Sequence, residues 1–225
     1  MNGLTRRALR SCFFWALGLA ALVFIPSWTL DYWQAWLFMA VFACAAAVIV
    51  VYLAIHSPQL LESRLNVGPK AEKEPAQKII LLLLNFTFIS MLVFAGLDHR
   101  MRWSSVPVSV SIMGDVLIGV GYLLIFVVLR ENPFSASTIR IVEGQTVIST
   151  GPYSCVRHPM YAGMLVMLAG IPLALDSWWG LLASLAMLAV FIWRILDEER
   201  LLRQDLPGYT GYQRKVKYRL IPYIW

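Results

Sequence analysis

The sequence predicts an all-α, polytopic helical membrane protein with about six transmembrane helices and a helical extension on the C-terminal side. Three observations carry this. Hydrophobic residues make up 59% of the 225 and charged ones only 14%, with a mean hydropathy of +0.67, too apolar for a soluble domain. The apolar residues come in long blocks, as crossing a hydrocarbon core of about 30 Å requires. The basic residues fall almost entirely between alternate blocks.

Arg6, Arg7 and Arg10 precede the first block, Cys12 to Ile25. It lacks a small-residue cleavage site and a second span follows at once, so it reads as a span and not a signal peptide. After a turn around Pro26 to Trp33, the second span runs from about Gln34 to Ile55. The polar segment His56 to Lys78 is broken by Gly68, Pro69 and Pro75. The third span is about Ile79 to Leu97, the fourth about Val108 to Leu129, and Asp98 to Pro107 joins them. Arg130 to Arg157 is the longest polar connection. The fifth span is about Pro159 to Leu175, since proline suits the first turn of a helix. Asp176 to Gly180 is a turn, and the sixth span, about Leu181 to Leu196, continues as a helix past Glu199 towards Leu206. Pro207-Gly208 ends it, and a basic, aromatic tail follows. Spans one to four fill residues 1–130, and residues 131–225 form the second part of one integrated membrane domain.

Of the 19 Lys and Arg residues, only Arg100 and Arg102 lie on the side opposite the termini. This bias predicts cytoplasmic termini and long loops. Trp28, Trp33, Trp36, Trp103, Trp178 and Trp179 all fall at the three expected outer turns, where interfacial anchors belong. The formal charge of +6 therefore follows a membrane rule and does not indicate nucleic acid. Cys12, Cys44 and Cys155 form no C-x-x-C, and His56, His99 and His158 are far apart, so neither a disulfide framework nor a metal site is expected. No internal repeat of the kind that builds many transporters is visible.

The functional weight falls on the cytoplasmic side, where spans five and six form a hairpin. Its open end brings Arg157-His158 towards Arg194, Glu198 and Glu199. Taken alone, Arg157 reads as a snorkelling arginine, Tyr161 as an interface aromatic, and the charged run from Arg194 to Arg203 as a solvated helix. Arg194, however, directly follows an apolar run, where a charge is costly without a partner or an anionic ligand. It can pair with Glu198 four residues on. Glu143 to Ile148 reads as a turn and a short extended piece with free backbone groups. Gly163 and Gly170 share one face of span five and leave it bare for a helix or a flat ligand.

Jointly the pattern is more specific. Gly151-Pro152-Tyr153, Arg157-His158-Pro159-Met160-Tyr161-Ala162-Gly163, the hairpin, Glu198-Glu199, and Pro207-Gly208-Tyr209 with Tyr212 resemble the isoprenylcysteine carboxyl methyltransferase and phospholipid methyltransferase superfamily. The resemblance covers roughly Asn132 to Trp225. It implies S-adenosylmethionine bound from the cytosol by His158, Pro159, Met160, Tyr161 and Tyr153. It adds the stretch Gln145, Thr146, Val147 and Ile148, and a carboxylate, Glu199 ahead of Glu198. It also implies a role for Arg194 near the acceptor, with Glu198 beside it. Attack on a sulfonium methyl needs no metal, only positioning and exclusion of water. An arginine suits an anionic acceptor, which favours a carboxylate on an amphipathic or lipid-like molecule over a choline-type head group. Phospholipid and thiol acceptors stay open. So does an NADPH-dependent sterol or steroid reductase, a class with a similar Arg-His-Pro-x-Tyr-x-Gly near its C-terminus, and so does a membrane scaffold without catalysis. The expected location is a bilayer, of the bacterial inner-membrane kind, with both termini and the site cytoplasmic.

Overall fold

The computed structural model describes residues 3–65, 74–135 and 144–225. Helix accounts for 78% of them and no strand occurs among the described residues, as the apolar blocks require. In chain order the helices are α1 (Gly3–Ser27), α2 (Trp33–His56), α3 (Pro58–Leu65), α4 (Pro75–Met101), α5 (Val108–Glu131), a 3-10 turn at Gly151–Ser154, α6 (Pro159–Ala174), α7 (Gly180–Asp205) and α8 (Tyr209–Lys215). By length and composition α1, α2, α4, α5 and α7 can each cross a membrane, and α6 is a shorter apolar helix. The protein is thus a polytopic helical membrane protein.

Local chemistry sets the boundaries. Pro75 and Pro159 occupy the first turns of α4 and α6, where a missing N–H is no loss. Arg102 ends α4 in the left-handed region at φ 54°, its N–H returning to Asp98. Gly208, at φ 85°, turns the chain between α7 and α8, a conformation glycine adopts without penalty. The core runs through the bundle from Leu19 and Val23 of α1 past Phe38 of α2, Met91 and Leu92 of α4, Ile118 of α5 and Ile171 of α6 to Phe191 of α7. Phe13, Phe14, Phe86, Leu123 and Leu185 point outward and are exposed, as a lipid-facing surface should be.

The bare face of α6 meets a second bare face. Gly114 and Gly121 of α5 lie against Gly170 and Gly163 of α6, in antiparallel order. A Cβ at Gly114 would sit 2.4 Å from the Ala174 nitrogen and 2.7 Å from the Gly170 oxygen, and one at Gly170 would sit 2.5 Å from the Gly114 oxygen. Of the two occupants the sequence allowed, the structure places the neighbouring helix there. Small residues permit this closeness, and close packing is what holds helices together in lipid.

The end carrying the tryptophans is tied by a polar clasp. Asp98 is fully buried. It accepts hydrogen bonds from the Ser104 N–H and hydroxyl, both at 2.7 Å, and from the Ser177 hydroxyl. Asp176 accepts from the Val106 N–H at 2.7 Å, and Tyr32 stacks on His99 with ring centroids 3.7 Å apart. All six tryptophans at this end are exposed. Asp98→Ala should leave the donors unsatisfied and cost roughly 1–3 kcal/mol, read as a lowered thermal midpoint in detergent.

Candidate functional site

At the opposite end of the bundle the hairpin of α6 and α7 closes on the tail. Arg157 and His158 stand just ahead of α6, and Glu199 of α7 and four tail residues, Val216 to Arg219, return to them. The Arg157 Nε donates to Glu199 Oε1 at 2.7 Å, and His158 Nε2 lies 3.3 Å from the same oxygen. Arg219 Nε donates to the other Glu199 oxygen at 3.1 Å. One Arg157 terminal nitrogen donates to the Val216 and Lys217 carbonyls, both at 2.8 Å. The Arg157 and His158 N–H groups donate to Tyr218 and Arg219 carbonyls at 2.9 Å. Arg157 is therefore not a snorkelling side chain. It is buried and fastens the tail to the start of α6.

Glu198, one residue earlier, does something else. It accepts from the Tyr161 hydroxyl at 2.7 Å, and the Arg194 Nε donates to that hydroxyl at 2.9 Å. The other face of Arg194 donates to Gln77 Oε1 of α4 at 3.1 Å, and Gln77 in turn donates to Asp197 at 2.5 Å. Both Gln77 and Arg194 are buried. A charge at the edge of an apolar span is thus held in part by side chains from two other helices.

Above these groups lies a cavity of about 470 Å³, within the usual range for small-molecule sites. Gln145, Thr146, Val147, Ile148, Tyr153, His158, Pro159, Met160, Tyr161, Arg194 and Glu198 all line it. Glu199 does not. It is fully buried, behind the wall, with both oxygens taken. Adjacent helical residues point about 100° apart, and of the two carboxylates read from the sequence Glu198 is the one that lines the cavity.

The structure adds residues the sequence left without a role. Asn132 donates to the Tyr153 hydroxyl at 2.8 Å, and the Tyr212 hydroxyl donates to the Tyr153 carbonyl at 2.7 Å. Glu74, Phe134, Ser135, Asp205, Tyr209 and Tyr212 also line the cavity. Arg64 of α3 donates to the Ser135 carbonyl at 2.7 Å and lies 3.7 Å from the Met160 sulfur. Burial lowers its pKa to about 10, so it is cationic at neutral pH. Burial likewise pushes the Tyr209 and Tyr212 hydroxyls well above the ordinary phenol range, so both are neutral donors. Arg140 and Glu143, also read from the sequence, lie outside the described residues. No group of three or more His, Cys, Asp or Glu able to hold a metal occurs among the described residues.

These features define a multi-pass membrane protein with a polar cavity at one end of its bundle. Residues 110–206 match the family model described as "Phospholipid methyltransferase", within the superfamily of isoprenylcysteine carboxyl and phospholipid membrane methyltransferases. The matched segment runs from α5 through α7 and includes every residue lining the cavity except Glu74 and the two tyrosines of α8, Tyr209 and Tyr212. The chain is also similar to the Delta(14)-sterol reductase TM7SF2 of Mus musculus, 30% identical over 104 residues, 43% of this chain and 25% of that protein. It is similar to the nickel-cobalt-cadmium resistance protein NccN of Alcaligenes xylosoxydans xylosoxydans, 24% identical over 128 residues, 56% of this chain and 58% of that one. The matches thus span a quarter and somewhat over half of these two relatives.

Proposed function

We propose that the protein is an integral membrane methyltransferase that uses S-adenosylmethionine and acts on an amphipathic or lipid-like acceptor at the membrane boundary. The observation that carries this reading is the cavity itself. It joins residues of the Arg-His-Pro-x-Tyr-x-Gly stretch, the Gln145 to Ile148 stretch and Glu198 in one place, within the segment matched to methyltransferases. The donor set suits such a cofactor: aromatic rings of Phe134 and Tyr153 for a heterocycle, Glu198 for hydrogen-bond donors, and no demand for a metal.

When bound, S-adenosylmethionine supplies a methyl group on a sulfonium, already activated towards an in-line nucleophile. The chain's own work is to position the two reactants and exclude water. His158, Pro159, Met160 and Tyr161 form the floor at the mouth of α6. Tyr161 holds Glu198 in a fixed rotamer by its hydroxyl. Gln77 and Tyr161 fix the orientation of the planar Arg194 guanidinium. A guanidinium so fixed suits an anionic acceptor such as a carboxylate, and phospholipid or thiol acceptors are the alternatives. The acceptor enters laterally from the leaflet, leaving its tail in lipid, since each CH₂ moved into water costs about 0.8 kcal/mol. The charge bias of the loops supports a cytoplasmic position for this end of the bundle and both termini.

A second reading, an NADPH-dependent reductase, is favoured by the partial likeness to a sterol reductase. Calorimetry of the purified protein with S-adenosylmethionine, S-adenosylhomocysteine and NADPH separates the two. Binding of NADPH alone would sink the methyltransferase reading. Arg194→Leu is expected to lower transfer roughly 100-fold or more, the scale of losing one preorganised donor, while S-adenosylhomocysteine binds within a few-fold of normal. Arg194→Lys should keep part of the rate. Loss of cofactor binding together with activity would instead assign Arg194 to the cofactor wall.

A further inference from the structure

Four tyrosines line the cavity, and three of their hydroxyls are committed. Tyr153 accepts from Asn132, Tyr212 donates to the Tyr153 carbonyl, and Tyr161 joins Arg194 to Glu198. Tyr209 differs. It is only 4% exposed, and its buried hydroxyl has no hydrogen-bond partner among the described residues. The ring is well seated: it packs with Leu206, Tyr212 and Val216 and lies 5.8 Å from the Tyr212 ring. The backbone that carries it is fixed by the left-handed Gly208. Folding alone gives no reason to place a rigid, buried O–H where nothing answers it, because desolvating an unpaired polar group is unfavourable.

Arg157 lines the same cavity and is within electrostatic reach of Tyr209, as are Glu198 and Glu199. Its Nε and one terminal nitrogen are engaged with Glu199 and the Val216 and Lys217 carbonyls. Among the described residues its second terminal nitrogen makes no hydrogen bond. Glu199 is already answered by Arg157, His158 and Arg219, whereas among the described residues Glu198 makes no ion pair and accepts a hydrogen bond from the Tyr161 hydroxyl alone. A neutral O–H and a guanidinium edge beside a carboxylate are the complement of a small zwitterion: an anion for the first two, an ammonium for the third.

We infer that the Tyr209 hydroxyl is a ligand-binding donor that, with Arg157 and facing Glu198, receives a zwitterionic end of the molecule in the cavity. This rests on the methyltransferase reading for its first candidate, the amino-acid end of S-adenosylmethionine. The second source of the same chemistry is the head group of a phosphatidylethanolamine acceptor. Tyr209→Phe removes the oxygen and keeps the ring. Because the hydroxyl has no protein partner, the ligand-free variant should be as stable as the parent or slightly more so. A merely structural tyrosine would show the opposite.

The test measures, for the detergent-purified full chain and Tyr209→Phe, the unliganded thermal midpoint and three affinities. The probes are S-adenosylhomocysteine, methylthioadenosine (which lacks the amino-acid end) and dioleoylphosphatidylethanolamine in mixed micelles. The expected result is an unchanged or raised midpoint, S-adenosylhomocysteine weakened roughly 10-fold, the scale of a hydrogen bond to a charged group, and methylthioadenosine unaffected. Weakening confined to the lipid probe keeps the hydroxyl as a zwitterion donor and assigns it to the acceptor. Parental affinity for all three probes, or a lowered midpoint without an affinity change, overturns the inference. If the parent protein binds neither nucleoside, the methyltransferase reading falls, while the lipid probe still decides the role of Tyr209.

Discussion

Glu199→Ala should cost about 3–5 kcal/mol of stability, the usual effect of leaving a buried charge unpartnered. Three cationic or potentially cationic groups converge on this one carboxylate: Arg157 at 2.7 Å, Arg219 at 3.1 Å and His158 at 3.3 Å. Arg157 cannot relax into water, since its side chain is 6% exposed and its other nitrogen is tied to the tail. The variant is expected to lose tail order first, seen as proteolysis beyond Val216, and ligand binding only as a consequence. Glu199→Gln, which keeps the shape and one acceptor, should lose less. A stably folded Glu199→Gln protein that had lost S-adenosylhomocysteine binding alone would return Glu199 to the site and displace Glu198.

The second large effect is expected at Gly114. Gly→Ala inside a helix ordinarily gains up to about 1 kcal/mol in helix propensity. Here the added carbon meets backbone atoms of α6 at 2.4 and 2.7 Å, and backbone cannot rotate away. Overpacking of this kind costs about 1–3 kcal/mol and occasionally more, so the clash wins. The same helix supplies the control: a Cβ at Gly119 meets nothing within 4 Å, and Gly119→Ala should be neutral or mildly stabilising. Unfolding midpoints of the two variants in one detergent, with the parent alongside, give the comparison. Equal midpoints would mean that the α5–α6 contact is looser than described.

How much of this was readable beforehand depends on which physical signal each feature leaves. The long helices were legible because apolar blocks bounded by charge and proline are a one-dimensional signal; α2, expected at about Gln34 to Ile55, spans Trp33–His56. The short α3 left no such mark, being polar and brief in a segment full of breakers. The bare face of α6 was visible as Gly163 and Gly170, but its partner was not, because pairing with Gly114 and Gly121 is a relation between distant segments. Glu198 and Glu199 were inseparable in sequence, since the choice depends on which way α7 is rotated, and that is set by its packing on α4. Gln77 was missed outright. A glutamine near a helix start carries no signature, and its part in holding Arg194 exists only once α4 lies beside α7. Tyr209 and Tyr212 were seen as a motif but given no role, because a hydroxyl's satisfaction can be judged only in three dimensions.

The brevity of α6 makes bilayer thickness a variable of the site. Sixteen residues reach about 24 Å at 1.5 Å per residue, short of a hydrocarbon core of about 30 Å. Its glycine partner α5, with 24 residues, is long enough to cross. The two are locked by Gly114 on Gly170 and by Gly121 on Gly163, and α5 runs on past the start of α6 at Pro159, so the shortfall falls at that end. In a bilayer that α5 spans, a cavity mouth at the start of α6 would lie nearer the acyl chains than the end of α5, and the leaflet above it would thin or part to meet the polar rim. Such hydrophobic mismatch costs fractions of a kcal/mol per ångström. A host membrane with shorter acyl chains relieves it, and one with longer chains works against the open mouth.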